Sequence, residues 1–342
     1  MAAIALLALT VWAIVQGTTS HDRPIPESAE QSDLGLYEQI VKRVDRGEPY
    51  YHAAIAEQSD RGYPTSPPTT VRLPSLALLI AGVGETGARL VLVALLATGL
   101  IASIRTAEKI ARSRLEWWAF ALTLAVSVAL SAAPDAIYFH EVWAMTLILI
   151  ALNIRTTRWW WIAVILGVLA FTVRELAGPF ILAMFVLSSF ERQWIRATTW
   201  LVAGAVCLMT YRFSHFEVVS SFMDGTETPS PSWIQMGGWP FIVDLVKSTT
   251  PLSVIPFAGA AIVVAISIFG WIGTRDRVSK GYLATLFAFI AVFSVVGRPD
   301  NVYWGLLFAP FLLPGLAFAP RSALTATRSG VLQGTRRSSP RK

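Results

Sequence analysis

A single cysteine, Cys207, stands among 342 residues. No intrachain disulfide can form, and cysteine usage says nothing about compartment. Charge is scarce as well: 15% of residues are Asp, Glu, Lys or Arg, against about 25% in ordinary soluble domains. The middles of the long apolar runs carry no ionisable side chain. A charge at the centre of a bilayer costs about 2.5–3.5 kcal/mol on insertion scales, and ion-coupled transporters and pumps accept that cost. Soluble-enzyme signatures are absent too: the chain has no P-loop, no H-E-x-x-H and no CxxC. A lone "GVGETG", Gly82 to Gly87, follows no strand-like run and is no dinucleotide fingerprint. Basic and aromatic residues do not interleave in the manner of a nucleic-acid site.

What is present is apolar. Hydrophobic residues make up 54% of the chain, and the mean hydropathy is +0.55. Apolar runs of about 17–25 residues recur along most of the length, separated by short charged clusters, the pattern of a helical multi-span membrane protein. The expected fold class is all-α, with about ten transmembrane helices. The runs fall near 1–18, 86–104, 116–133, 141–154, 158–173, 177–190, 195–211, 252–272, 281–296 and 302–319. No Lys or Arg precedes the first run, so an uncleaved span is expected there rather than a signal peptide.

Loop charge orients the spans. Arg105, Lys109, Arg112 and Arg114 follow the second run, Arg155 and Arg158 the fourth, and Arg192 and Arg196 the sixth. Arg275, Arg277 and Lys280 follow the eighth, and a basic tail follows the tenth. Basic loops stay in the cytoplasm. Both termini are therefore expected inside, and the loops 19–85 and 212–251 outside. Residues 1–320 read as one membrane domain and 321–342 as a basic cytoplasmic tail. Leu73 to Gly84 is apolar but too short to span, and is expected to lie at the outer membrane face.

Ionisable residues gather at the outer ends of the runs. "SDLGLYEQIVKRVDRGEPYY", Ser32 to Tyr51, has Leu36, Tyr37, Ile40, Val41 and Val44 on one helical face and charges elsewhere. That predicts an amphipathic helix lying along the bilayer, stopped at Gly47, with Pro49 preventing its resumption. Asp33 at its start reads both as a helix cap and as a catalytic carboxylate. Arg72 follows a proline-rich connection and precedes an apolar helix; it reads as a snorkelling side chain or as a phosphate ligand. Arg174 and Glu175 sit at one outer turn, where they pair with each other or meet a phosphate. Arg298, Asp300 and Asn301 sit at another. Tyr303 and Trp304 beside them read as interfacial anchors. His140 and Glu141 are weak candidates for a divalent cation; the metal is otherwise unknown.

The ordered features resemble the GT-C class of membrane glycosyltransferases, the polyprenyl-phosphate-sugar-dependent, dolichyl-phosphate-mannose mannosyltransferase-like enzymes. "SDLGLYEQIVKRVDRGEPYY" resembles the D-x-x-x-Y helix followed by G-x-x-Y-Y in bacterial members. The Pro-rich "YPTSPPTTVRLP", the many spans joined by short loops, and "RE" at an outer turn follow in the family's order. The paired acidic residues that some members carry at the first of these places are missing here. The resemblance implies that Asp33 is the general base acting on the acceptor. It implies that outer-face arginines, of which Arg72, Arg174 and Arg298 are the candidates, contact the donor phosphate. Tyr37, Glu175, His140, Glu141, Asp300 and Asn301 would support them. The expected partners are a polyprenyl-phosphate-linked sugar, the lipid bilayer and an acceptor glycan, lipid or protein. The expected place is the outer face of the cytoplasmic membrane. A transporter or flippase of a lipid-linked or small substrate, and an inactive subunit of the same topology, are the competing readings.

Overall fold

The computed structural model describes residues 33–325. The expected first span, Ser32 and most of the basic tail lie outside the described residues. Among the described residues the fold is all-α: no strand forms, and there are two isolated bridges, Ser66 to Pro229 and Ile234 to Val296.

Eleven longer helices follow in order: α1 Asp33–Asp45, α2 Tyr50–Asp60, α3 Ser75–Ile110, α4 Arg114–Val128, α5 His140–Ile154, α6 Trp160–Val173, α7 Gly178–Phe190, α8 Trp194–Thr210, α9 Gly238–Ser248, α10 Phe257–Ile272 and α11 Arg277–Phe293. The last part of the described residues is irregular, with 3-10 segments Pro299–Leu307 and Leu313–Phe318 around a short turn Ala309–Leu312.

Helix α1 has the expected stripe, but protein covers it. Leu36, Ile40 and Val41 are buried, and α1 packs on α2 and α3 rather than presenting that face outward. Pro49 does not end helical structure either. It stands just before α2 with φ −59°, a conformation suited to a helix start, where its missing N–H forfeits nothing. Arg43 fastens the resulting hairpin, reaching both carboxylate oxygens of Glu48 at 2.7 Å and Glu57 at 3.0 Å. Within α3 the backbone leaves the helical region at Gly84, where φ is +73°. The break falls between the apolar run Leu73 to Gly84 and the run expected near 86–104, and it needs the positive φ that glycine adopts most cheaply.

The run Pro68–Ile110 is long and apolar enough to cross a membrane, with hydropathy 2.0. Pro299–Leu307 and Ala309–Thr325 pass the same test together but are bent by 51°. His140–Ile154, Trp160–Val173, Glu175–Phe190 and Phe257–Ile272 are apolar but shorter. At a rise of about 1.5 Å per residue they fall below the roughly 30 Å of a hydrocarbon core. The run expected at 302–319 is not a straight helix, because Pro310 and Pro314 lie inside it and proline breaks the backbone ladder. This irregular segment closes on α10 with almost no clearance. A Cβ on Gly270 would sit 1.8 Å from the carbonyl oxygen of Gly315, and one on Gly315 would sit 2.1 Å from that of Ser267.

Helix α5 is the central element. Every residue from His140 to Asn153 is buried, as a helix apolar all round requires. Helices α3, α4 and α8 instead turn large apolar side chains outward: Leu90, Leu115, Leu122, Ile195, Leu208 and Met209 are each at least 60% exposed.

Candidate functional site

Asp33 opens α1 and Tyr37 follows one turn later on the same face, the spacing at which helical side chains become neighbours. Both line a cavity of about 850 Å³. The end of α2 and the loop after it supply Gln58, Arg61 and Tyr63 to the wall. Arg72 comes from the segment leading into α3, Ser230 and Trp233 from the loop before α9, and Arg298, Asp300, Asn301 and Tyr303 from the turn after α11. Three arginines and two aspartates therefore share one opening.

The fold holds each group by identifiable contacts. Tyr50 donates its hydroxyl to the Arg72 carbonyl at 2.8 Å. His215 lies 3.1 Å from the carbonyl of Val71, with its other ring nitrogen 3.1 Å from the Tyr51 hydroxyl. The backbone that carries Arg72 is thus pinned at adjacent residues. The Arg72 guanidinium donates from Nε to the Tyr37 hydroxyl at 2.9 Å and from Nη2 to the Tyr303 hydroxyl at 3.1 Å. Its Nη1 lies 3.5 Å from Glu175.

Beneath that layer sits Arg174, fully buried, with Nε 2.6 Å from Glu141 and a second bond to Glu175. Its guanidinium lies 5.7 Å from the centre of the Trp304 ring. Arg174 does not line the cavity; two carboxylates already claim its charge. Glu175 bridges the two arginines. Burial alone would raise its carboxyl pKa, but the charges of Arg174 and Arg72 outweigh burial and hold it below the usual carboxylate value. His140 stacks edge-on against Tyr37, 4.9 Å between ring centres. Burial, with the positive charges of Arg72 and Arg174 beyond it, pushes the imidazole pKa well below its ordinary value.

Arg298 occupies the opposite wall. It lies 4.3 Å over the Trp233 ring, donates to Ser230 at 3.0 Å and pairs with Asp300 at 3.3 Å. Its Nε is buried without a hydrogen-bond partner among the described residues. Asn301 fixes the turn, accepting from the Arg298 amide at 3.1 Å while its own amide donates to the Arg298 carbonyl at 2.9 Å. Trp233 stacks in turn on Trp304, 5.7 Å between centres. The loop carrying Ser230 and Trp233 is tied down at both ends, by the Ser230 amide to Ser66 at 2.7 Å and by the Gly297 amide to Trp233 at 2.9 Å.

The cavity thus gathers Asp33, Tyr37, Arg72, Arg298, Asp300 and Asn301, while Arg174, Glu175, His140 and Glu141 lie outside its lining. The His140–Glu141 pair is not poised for a cation, because Glu141 is committed to Arg174. No group of three His, Cys, Asp or Glu side chains suited to a metal occurs among the described residues. Sequence reading passed over Gln58, Arg61, Tyr63, Ser230 and Trp233. Tyr63 is the informative omission. Its hydroxyl pKa is raised, first by burial, then by the charge of Asp33 and a hydrogen bond to that carboxylate. A neutral phenol donating to the carboxylate fixes its direction. The only signal for it was a tyrosine in the Pro-rich stretch that the family resemblance already singled out.

The chain matches no family model, no curated protein and no solved structure.

Proposed function

We propose that this protein is a membrane glycosyltransferase that moves a sugar from a polyprenyl-phosphate donor to a lipid, glycan or protein acceptor. The observation that carries the reading is the meeting of Asp33 and Arg298, far apart in sequence, on one cavity. Asp33 takes the proton of the acceptor hydroxyl as its oxygen attacks the anomeric carbon. The sugar–phosphate bond breaks on the opposite side, its electron pair passing to the phosphate oxygen, so the configuration inverts. Arg298 supplies fixed positive charge where that negative charge collects, and pre-placed charge is the cheapest kind to use. Arg72 meets the same cavity beside Tyr37 and Tyr303, whereas the charge of Arg174 is taken up by Glu141 and Glu175.

The membrane setting belongs to the same proposal. The outward apolar faces of α3, α4 and α8 are of the kind that marks a membrane contact, and a bilayer covers them. About ten passages, with both termini inside and the cavity outside, fit the loop charges. Some short helices then cross as tilted or broken spans held by their neighbours.

A direct test uses membranes enriched in the protein, supplied with a radiolabelled polyprenyl-phosphate sugar. The wild type is expected to release polyprenyl phosphate in proportion to sugar transferred. Asp33→Asn, at equal abundance, is expected to lose at least a hundredfold in rate, the scale of a missing general base. Equal rates would remove Asp33 from the chemistry.

A further inference from the structure

Arg72 looks like the phosphate ligand of the cavity, yet its hydrogen-bonding edge is already occupied. Nε and Nη2 lie on the side of a guanidinium that ordinarily grips both oxygens of one carboxylate or phosphate. Here that edge grips two phenol oxygens, Tyr37 at 2.9 Å and Tyr303 at 3.1 Å. The third nitrogen, Nη1, faces Glu175 at 3.5 Å, and only 11% of the side chain is exposed. Tyr37, Arg72 and Tyr303 all line the cavity, but the donor edge of Arg72 is turned to the two phenols.

The direction of these bonds matters. A phenol oxygen carries lone pairs and one hydrogen that rotates to suit its surroundings. Arg72 can only donate, so it takes a lone pair from each tyrosine and leaves each O–H without a role in that contact. Among the described residues no protein acceptor is found for either hydrogen, and both side chains line the cavity. Chained hydrogen bonds also polarise one another, so a phenol accepting from a guanidinium is a stronger donor than a phenol alone.

We propose that Tyr37 and Tyr303 form a paired-hydroxyl anion site, in which Arg72 aligns and polarises the phenols and the phenol hydrogens hold the ligand's phosphate oxygen. The site is preorganised: the Arg72 backbone is pinned by Tyr50, Tyr37 rides on a helix and is braced by His140, and Tyr303 follows the turn capped by Asn301. Burial raises the Tyr37 pKa despite the opposing charge of Arg72, so the phenol stays neutral and keeps its donor. The inference rests on the glycosyltransferase reading for the identity of the anion, but not for its presence.

The test is a binding titration of full-length protein in detergent with two probes, farnesyl phosphate and inorganic pyrophosphate. Tyr37→Phe and Tyr303→Phe are expected each to weaken binding of a phosphate probe about tenfold, roughly 1.4 kcal/mol apiece, with the melting temperature held within a few degrees. Removing a phenol hydroxyl also releases an Arg72 N–H. If Arg72 were the direct ligand, affinity would stay the same or rise, and that result overturns the proposal. Phenol-dependent binding of pyrophosphate without binding of farnesyl phosphate keeps the anion site and removes the lipid-linked donor. Phenol-independent binding of farnesyl phosphate keeps the donor and removes the anion site. Binding of neither probe by the wild type removes both.

Discussion

Arg174 is fully enclosed between two carboxylates. Such a pair adds little net stability over apolar packing, but removing one partner strands the others, a loss of about 3–5 kcal/mol. Arg174→Met is therefore expected to lower the melting temperature of the purified protein strongly, whereas Arg298→Met, at the cavity wall with 16% of its side chain exposed, is expected to lower it less while removing the proposed transfer. Thermal scans of both variants in one detergent check the contrast. The same cluster sets an acid limit. Unfolded, His140 takes a proton near pH 6.5; folded, burial and the nearby arginines keep it neutral to well below that. Below about pH 6.5 the unfolded state binds the extra proton, so stability is present above that pH and falls as pH drops towards the folded pKa. Glu175, held below its ordinary 4.5, adds a loss of the same sign at lower pH. Melting temperature is expected to decline from pH 6.5 to 5, and His140→Asn is expected to flatten that decline. An unchanged slope in the variant would place the titration elsewhere.

At the scale of elements, two glycines report on how the irregular end of the chain is seated. Gly270 on α10 and Gly315 beside it admit no Cβ. Gly270→Ala is expected to cost more than the 1–3 kcal/mol typical of overpacking, since the obstruction is backbone rather than a flexible side chain. Folded yield and melting temperature check it, with Gly82→Ala, a site with open space, as the mild comparison. Much at this scale was legible in the sequence. The helical period of Leu36, Ile40 and Val41 marked α1 and its buried stripe, and Gly84 marked the break in α3. What covers that stripe was not legible, because periodicity gives an apolar face without saying whether lipid or protein meets it. Pro49 was misread for a related reason: proline ends one helix and starts another with the same φ, and only the packing of α2 against α1 decides. Arg174 could not be told from Arg298 either. Both were expected at outer turns, and only long-range packing buries one and lines the cavity with the other.

Across the whole molecule, residues brought in from six separate stretches, Phe139 before α5 among them, meet at one cavity. Asp33, Arg72 and Arg298 could be named from sequence because charge in an apolar chain is conspicuous. Gln58, Ser230 and Trp233 could not, since nothing local distinguishes them until the loop before α9 crosses to Ser66 and Val296. The proposed orientation makes a prediction of its own. In a Cys207→Ser background, Thr226→Cys is expected to react with a membrane-impermeant thiol reagent in intact cells, and Ser113→Cys only after lysis. Reversed labelling would invert the topology and put the cavity on the wrong side for a lipid-linked donor.

The proposed role of Asp33 is that of general base in a sugar transfer. It is tested most directly by profiling lipid-linked sugars and surface glycans in a strain lacking the protein, complemented with either wild type or Asp33→Asn at matched membrane levels. The wild type is expected to restore the glycosylated product, while Asp33→Asn is expected to leave the profile of the deletion, with unused donor accumulating. Full restoration by Asp33→Asn would contradict it.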